Sequence, residues 1–126
     1  MFDKDKRKDF LEMVRVGFIE NLEIYVNTND SGNIPHFHIR DVVDWDKFYT
    51  CVQIGKAEYF LHGNKQDVLN AKQKSALEDF MSSSVKLSKY AGKFKNNWEL
   101  VCFMWDINNS KLEIADDVVQ PDYSEL

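Results

Sequence analysis

Past His62-Gly63-Asn64 the apolar residues of this chain change from alternating to helical spacing, and that change limits the fold more than any other feature. Val14, Val16 and Phe18 alternate with polar or small residues, and Leu22, Ile24 and Val26 alternate again after Glu20 and Asn21. Successive side chains on a strand point to opposite faces, so this spacing predicts two strands with a tight connection. A turn cluster from Asn27 to Asn33 follows. Ile34 to Arg40 then predicts a third strand, with Pro35 at its start because proline has no N–H to give to a ladder. Tyr49 to Ile54 and Ala57 to Leu61 predict two more strands around Gly55 and Lys56, or one bent strand with Gly55 as a bulge. Beyond His62, Gly63 and Asn64 the period becomes helical. Asn70 and Gln73 match a capping box, and Ala76, Leu77, Phe80 and Met81 supply one apolar stripe. Asn96 to Glu99 gives a similar start to a helix whose Trp98, Val101, Cys102 and Trp105 share a face.

Strands first and helices after them predict an α+β domain. The expected form is an antiparallel sheet of four to five strands within residues 14–62, packed against two main helices near 70–82 and 97–108. Leu77, Phe80, Trp98, Val101 and Trp105 are expected to share one core, while Trp45 and Tyr49 are expected to be exposed. Asp3 to Arg15 predicts a short N-terminal helix from the spacing of Phe10, Leu11 and Val14. Leu112 and Ile114 suggest a terminal strand, and Gly92 breaks whatever structure Val85 to Phe94 adopts.

At 126 residues the chain fits one domain, taken here as 1–115, with an acidic, solvated tail at 116–126. An apolar fraction of 44% and a charged fraction of 29% exclude wholesale disorder and a disulfide scaffold. The 16 basic residues against 21 acidic ones give a net charge of -5, which disfavours broad electrostatic binding to nucleic acid. The start of the chain lacks the apolar centre of a signal peptide, and no apolar run is long enough to cross a bilayer. The expectation is a cytoplasmic protein with a protein partner and no membrane. Cys51 and Cys102 lie in apolar runs, where a thiol is normally inert core filling.

The three histidines carry what chemistry the sequence offers. His36 and His38 are two apart in a strand and so share a face, opposite Phe37 and Ile39, whose face is expected to be the buried one. Two imidazoles at this spacing can ligate one metal ion or divide acid and base work between them. A pair on a solvated surface strand is the simpler alternative. His62 ends a later strand and is the expected third member, with Glu58 on its strand face as a catalytic candidate. Asp41, Asp44 and Asp46 follow the histidine strand, and Asp41 is the carboxylate candidate for a metal set. No cofactor is otherwise predicted; a divalent metal ion is the one this pattern could hold. Gly-rich phosphate loops, a nucleophile elbow and His-Glu-x-x-His are all absent from the sequence. Lys93 and Lys95 beside Tyr90 and Phe94 form a small basic and aromatic group suited to RNA, to a protein partner, or simply to an exposed helix end.

Several of these pieces occur together in a recognisable way. Pro35-His36-Phe37-His38 is followed by Tyr59-Phe60-Leu61-His62-Gly63, then by Asn70-Ala71-Lys72-Gln73, then by Asn97-Trp98-Glu99 with Trp105 to Asn109. In this combination, over residues 34–109, the chain resembles small bacterial proteins of unknown function found near phage-like and conjugative elements. A looser likeness is to another domain with a Pro-His-x-His strand, sometimes encoded beside toxin–antitoxin genes. Trp105-Asp106 stands where the first pattern favours Trp-Asn. The resemblance points at the same three histidines and names no reaction; with the sparse catalytic inventory and the exposed aromatics expected at Trp45 and Tyr49, its context leads to the expectation of an accessory or interaction protein of a mobile element, non-enzymatic. The alternative is a His-based or metal-dependent hydrolase, including a nuclease, using His36, His38 and His62.

Overall fold

The computed structural model of the chain describes residues 13–27, 34–43, 48–60, 67–109, 114 and 118–126. Five strands, β1 (Met13–Ile19), β2 (Leu22–Asn27), β3 (His36–Asp41), β4 (Phe48–Gln53) and β5 (Tyr59–Phe60), come before two helices, α1 (Ala71–Ser82) and α2 (Asn97–Asn108). The strands form one sheet in chain order, and each neighbouring pair is antiparallel. The α+β architecture read from the spacing is therefore the architecture of the protein. The chain reverses between β4 and β5 at Gly55, whose φ of 91° is costly for any residue with a Cβ, so the two-strand reading of this region holds. Residues 13–15 belong to β1 and not to a helix; the rest of the expected N-terminal helix lies outside the described residues.

Two bulges adjust the alternation. Arg15 pairs with Tyr25 and Gly17 with Ile24, so Val16 is an extra residue in β1. An extra residue flips every later side chain to the other face. Val16 and Ile19 are consequently buried while Phe18 is 46% exposed, although simple alternation had put Val16 and Phe18 together. The second bulge lies between β3 and β4, where Phe37 pairs with Val52 but Ile39 pairs with Tyr49. Tyr49 is buried here, not exposed as expected; Trp45 lies outside the described residues.

Both helices start as their sequences require. The Asn70 side chain accepts from the Gln73 N–H at 2.8 Å, and the Gln73 side chain accepts from the Asn70 N–H at 2.9 Å. The Asn96 side chain accepts from the Glu99 N–H at 2.9 Å. Leu77, Met81, Leu100, Val101, Met104 and Trp105 pack with Ile24, Val26, Phe37, Ile39 and Val52 in one core. Trp98, Phe80 and Cys102 sit at its margin, so α2 turns Leu100 and Met104 inward in their place. Helix α1 approaches β1 closely: a Cβ on Gly17 would stand 2.7 Å from Cε1 of Phe80. No helix among the described residues is long and apolar enough to cross a membrane.

The end of the chain is not a solvated tail. Tyr123 is fully buried in the core, its N–H donates to the Glu78 carboxylate at 2.8 Å, and the Lys74 ammonium donates to the main-chain oxygen of Leu126. Apolar residues within the acidic segment decide this, because burying an aromatic ring outweighs the solvation of scattered carboxylates at exposed positions. Of the expected terminal strand, only Ile114 is described, and it is outside any strand. Tyr90 and Phe94 pack on Phe103 of α2, with ring centroids 6.0 and 4.9 Å from it, and Lys93 and Lys95 are exposed beside them.

Candidate metal centre

Alternation along β3 sends Phe37 and Ile39 to the helix-covered core, and His36, His38 and Arg40 to the other face. That other face is not open to solvent. His36 is 0% and His38 8% exposed, which overturns the expectation of a surface pair. On the neighbouring strand β2 the residues of the same face, Glu23, Tyr25 and Asn27, are buried as well. The pairing sets Tyr25 opposite His38 and Glu23 opposite Arg40. The Tyr25 and His38 rings stack at 5.0 Å with 19° between their planes. The Arg40 guanidinium lies 5.7 Å from the Tyr25 ring centroid.

The bulge in β4 completes the group. Two residues, Thr50 and Cys51, oppose His38, and the Cys51 sulfur comes to 3.2 Å from His38 Nδ1. Cys51 is 1% exposed. One ligand atom from each of His36, His38 and Cys51 lies within 4.8 Å of the others, so the three form a group that could hold a metal ion. The ring centroids of His36 and His38 are 5.0 Å apart, and the His36 ring also meets Phe60 at 4.4 Å and Trp105 at 5.2 Å.

Hydrogen bonds set which nitrogens can ligate. Nδ1–H of His36 donates to the Ile34 carbonyl at 2.7 Å, which leaves the ring lone pair on Nε2. A ligating histidine is commonly held in this way, by a carbonyl on its other nitrogen. His38 Nε2 lies 3.3 Å from the Asn27 side-chain amide. Asn27 is itself fixed from behind: its main-chain oxygen accepts from the Asn109 side chain at 3.0 Å, just past the end of α2. Its own Oδ1 is buried and finds no hydrogen-bond partner among the described residues.

Farther along the same face the buried Glu23 carboxylate accepts from Arg15 at 2.5 Å and from Arg40 at 3.0 Å. Two guanidinium groups thus share the one buried Glu23 carboxylate.

Of the residues singled out in the sequence, His36 and His38 belong to the group. His62, Asp44 and Asp46 lie outside the described residues. Glu58 is exposed, with Gln53 donating to it at 3.5 Å, and Asp41 accepts from the Val43 N–H at 2.8 Å in a local turn; neither is part of the group. Cys51, read as core filling, is the missed member. Pattern alone gave no sign of it, because its position opposite His38 depends on the bulge. Cys102 fits the reading of an inert thiol: burial, then the nearby Asp106 and Glu99 charges, push it up to about 12. Cys51 is too enclosed to act as a nucleophile toward a substrate, but once deprotonated it is a strong ligand for a soft or borderline metal.

No family model, no curated protein and no solved structure matches this chain.

Proposed function

We propose that the protein is a non-enzymatic accessory protein that holds a transition-metal ion inside its sheet, through His36, His38 and Cys51. The observation that carries this reading is the enclosure of all three donors. They converge within 4.8 Å yet are at most 8% exposed. An ion held there would stiffen the β3–β4 pair or be carried by it, and would not meet a substrate directly. The same enclosure weighs against the hydrolase alternative, which needs a water and a scissile bond beside the histidines. Interaction with a partner protein of a bacterial mobile element rests on the motif combination described above and is the context in which we read the metal. Metal analysis of untagged protein, with and without the double change His36→Ala and His38→Ala, tests the proposal. We expect close to one equivalent of metal per chain in the wild type and none in the double variant. Metal-free wild-type protein that also takes up neither zinc nor copper in titration would overturn it.

A further inference from the structure

We infer that the groove between β1 and the connection from α1 to α2 docks a partner protein, through an acidic segment that carries one bulky apolar side chain. This goes beyond the metal-binding reading and does not depend on it.

The groove has a volume of about 380 Å³ and is lined by Val16, Gly17 and Phe18 of β1 and by Phe80, Ser83 and Leu87 from the end of α1 and the residues after it. Ligand pockets run from roughly 300 to 1,000 Å³, and one at the small end suits a single large side chain with its flanking backbone. The walls are set before anything binds. Phe80 packs on Gly17, where a Cβ would stand 2.7 Å from its ring. The Asn97 side chain donates to the Phe80 carbonyl at 2.8 Å, and the Asn97 N–H donates to the Ser83 carbonyl at 3.0 Å. These bonds tie the end of α1 to the start of α2, so a segment entering the groove loses little free energy to ordering it.

Phe18 is the apolar anchor. The extra residue at Val16 turns Phe18 away from the core and leaves it 46% exposed. Bulges re-aim side chains in this way beside functional sites. The Arg15 guanidinium carbon lies 4.6 Å from the Phe18 ring centroid, and Arg15 is itself held by Glu23 at 2.5 Å. An exposed aromatic ring fixed beside a concave apolar wall is a binding hot spot in form.

Charge selects the segment. Lys86 lines the groove, and Lys89, Lys93 and Lys95 follow on the same connection, all exposed. They are complementary to Asp and Glu on a partner. Asp79 lines the groove as well, so the segment that fits carries its acids to one side of the apolar residue and not along its whole length. Asp79 and the chain's net charge of -5 also weigh against single-stranded RNA, which bears a phosphate at every step.

The test is selection of a random peptide library displayed on phage against the full chain, with counter-selection on Lys86→Glu. We expect enriched peptides in which Trp, Phe or Leu adjoins a cluster of Asp and Glu. For a labelled synthetic copy followed by anisotropy, Lys86→Glu and Phe18→Ala should each weaken binding about tenfold or more. Lys56→Glu makes the same charge change on the β4–β5 turn and should alter binding by less than about twofold. Should a variant fail to fold, amide shifts of the wild type on addition of the peptide decide, and they should fall at Gly17, Phe18 and Leu87. A selection that enriches no such peptide, or shifts that fall elsewhere, would overturn the inference. Oligouridylate that displaces the peptide and binds the groove more tightly would overturn it in favour of single-stranded RNA. Metal content measured on the same samples keeps this outcome separate from that of the metal-binding reading.

Discussion

The Cys51 sulfur and Nδ1 of His38 face each other at 3.2 Å across the β3–β4 pair, and one extra residue in β4 puts them there. Without the bulge, a single residue of β4 would oppose His38, and every side chain on one side of that point would change face. The contact makes Cys51 the residue through which metal and stability are linked. At a metal concentration 100 times the dissociation constant, the wild type should gain about 2.7 kcal/mol of unfolding free energy. Cys51→Ala should fold and show none of that gain. Denaturant melts with and without Zn(II) or Cu(I), under reducing conditions, check both. Equal stabilisation of the variant would place the ion outside the proposed group.

The buried Glu23 carboxylate distinguishes its two arginine partners. The Arg15 side chain is 52% exposed and that of Arg40 only 18%. An exposed partner contributes little because water replaces it. Arg15→Ala should therefore cost less than about 1 kcal/mol. Arg40→Ala removes a part-buried, charge-assisted hydrogen bond and should cost about 1.5–3 kcal/mol. Urea melts of the two single variants give the comparison, and equal losses would contradict it.

Gly17 is small because α1 needs the space. A Cβ there would lie 2.7 and 2.8 Å from two ring carbons of Phe80, well inside contact distance. Gly17→Ala should destabilise the protein by about 1–3 kcal/mol through overpacking. In a Phe80→Ala background the same change should cost nothing. A double-mutant cycle reads the coupling, which should exceed about 0.5 kcal/mol. Additive effects would mean that the ring moves aside freely.

The sheet and the helices were legible because their signals are local. Period-two spacing, the Asn70–Gln73 box and the Asn96 cap need only neighbouring residues to be read; the strands, the box and the cap are formed as expected, while the bulge at Val16 breaks the alternation within β1. The site was half legible for the opposite reason. His36 and His38 share a face by alternation alone. Cys51, Asn27 and Tyr25 join them through strand pairing and a bulge, which no single stretch of sequence specifies. Burial of the histidine face was missed because Glu23-x-Tyr25-x-Asn27 looks like the polar, solvated side of a strand. It is instead a buried polar stripe whose Glu23 and Asn27 find partners on the neighbouring strand, Arg40 and His38.

Cys102 at the margin of the helix-covered core and Tyr123 within it should make the fold sensitive to alkali. Burial pushes the Cys102 thiol up to about 12 from an ordinary 9.0, and burial also raises the Tyr123 hydroxyl. A group whose folded pKa is raised stabilises the fold fully below its unfolded pKa. That contribution is lost as pH climbs from the unfolded value through the folded one. For Cys102 the window runs from about pH 9 to about pH 12. Taking pH 10.5, the loss from this thiol alone should be about 2 kcal/mol. Melts at pH 8 and pH 10.5 should show that decline in the wild type and a smaller one in Cys102→Ala. A flat profile in the wild type would contradict the assignment.

Asn27 governs the tautomer of His38, and so whether the site is ready for metal. With the Asn27 amide N–H directed at His38 Nε2, as at 3.3 Å, that nitrogen accepts and the ring proton sits on Nδ1, where it points at Cys51. A metal cannot use a protonated Nδ1. Rotating the amide by half a turn presents Oδ1 instead, the atom that otherwise finds no partner among the described residues. Nε2 then carries the proton and donates it to Oδ1, and the Nδ1 lone pair faces the sulfur. Loading should therefore move the His38 proton from Nδ1 to Nε2 together with the amide turn. Nitrogen-15 spectra of the imidazoles, taken before and after addition of Zn(II) or Cu(I), report the tautomer directly. Asn27→Leu removes the acceptor that holds the loaded tautomer and should weaken metal affinity about 10–100-fold. The main-chain bond from Asn109 does not involve the side chain and should survive the substitution, so the loss should appear in binding more than in stability. Unchanged affinity in Asn27→Leu, or a His38 tautomer that does not respond to either ion, would separate Asn27 from the site.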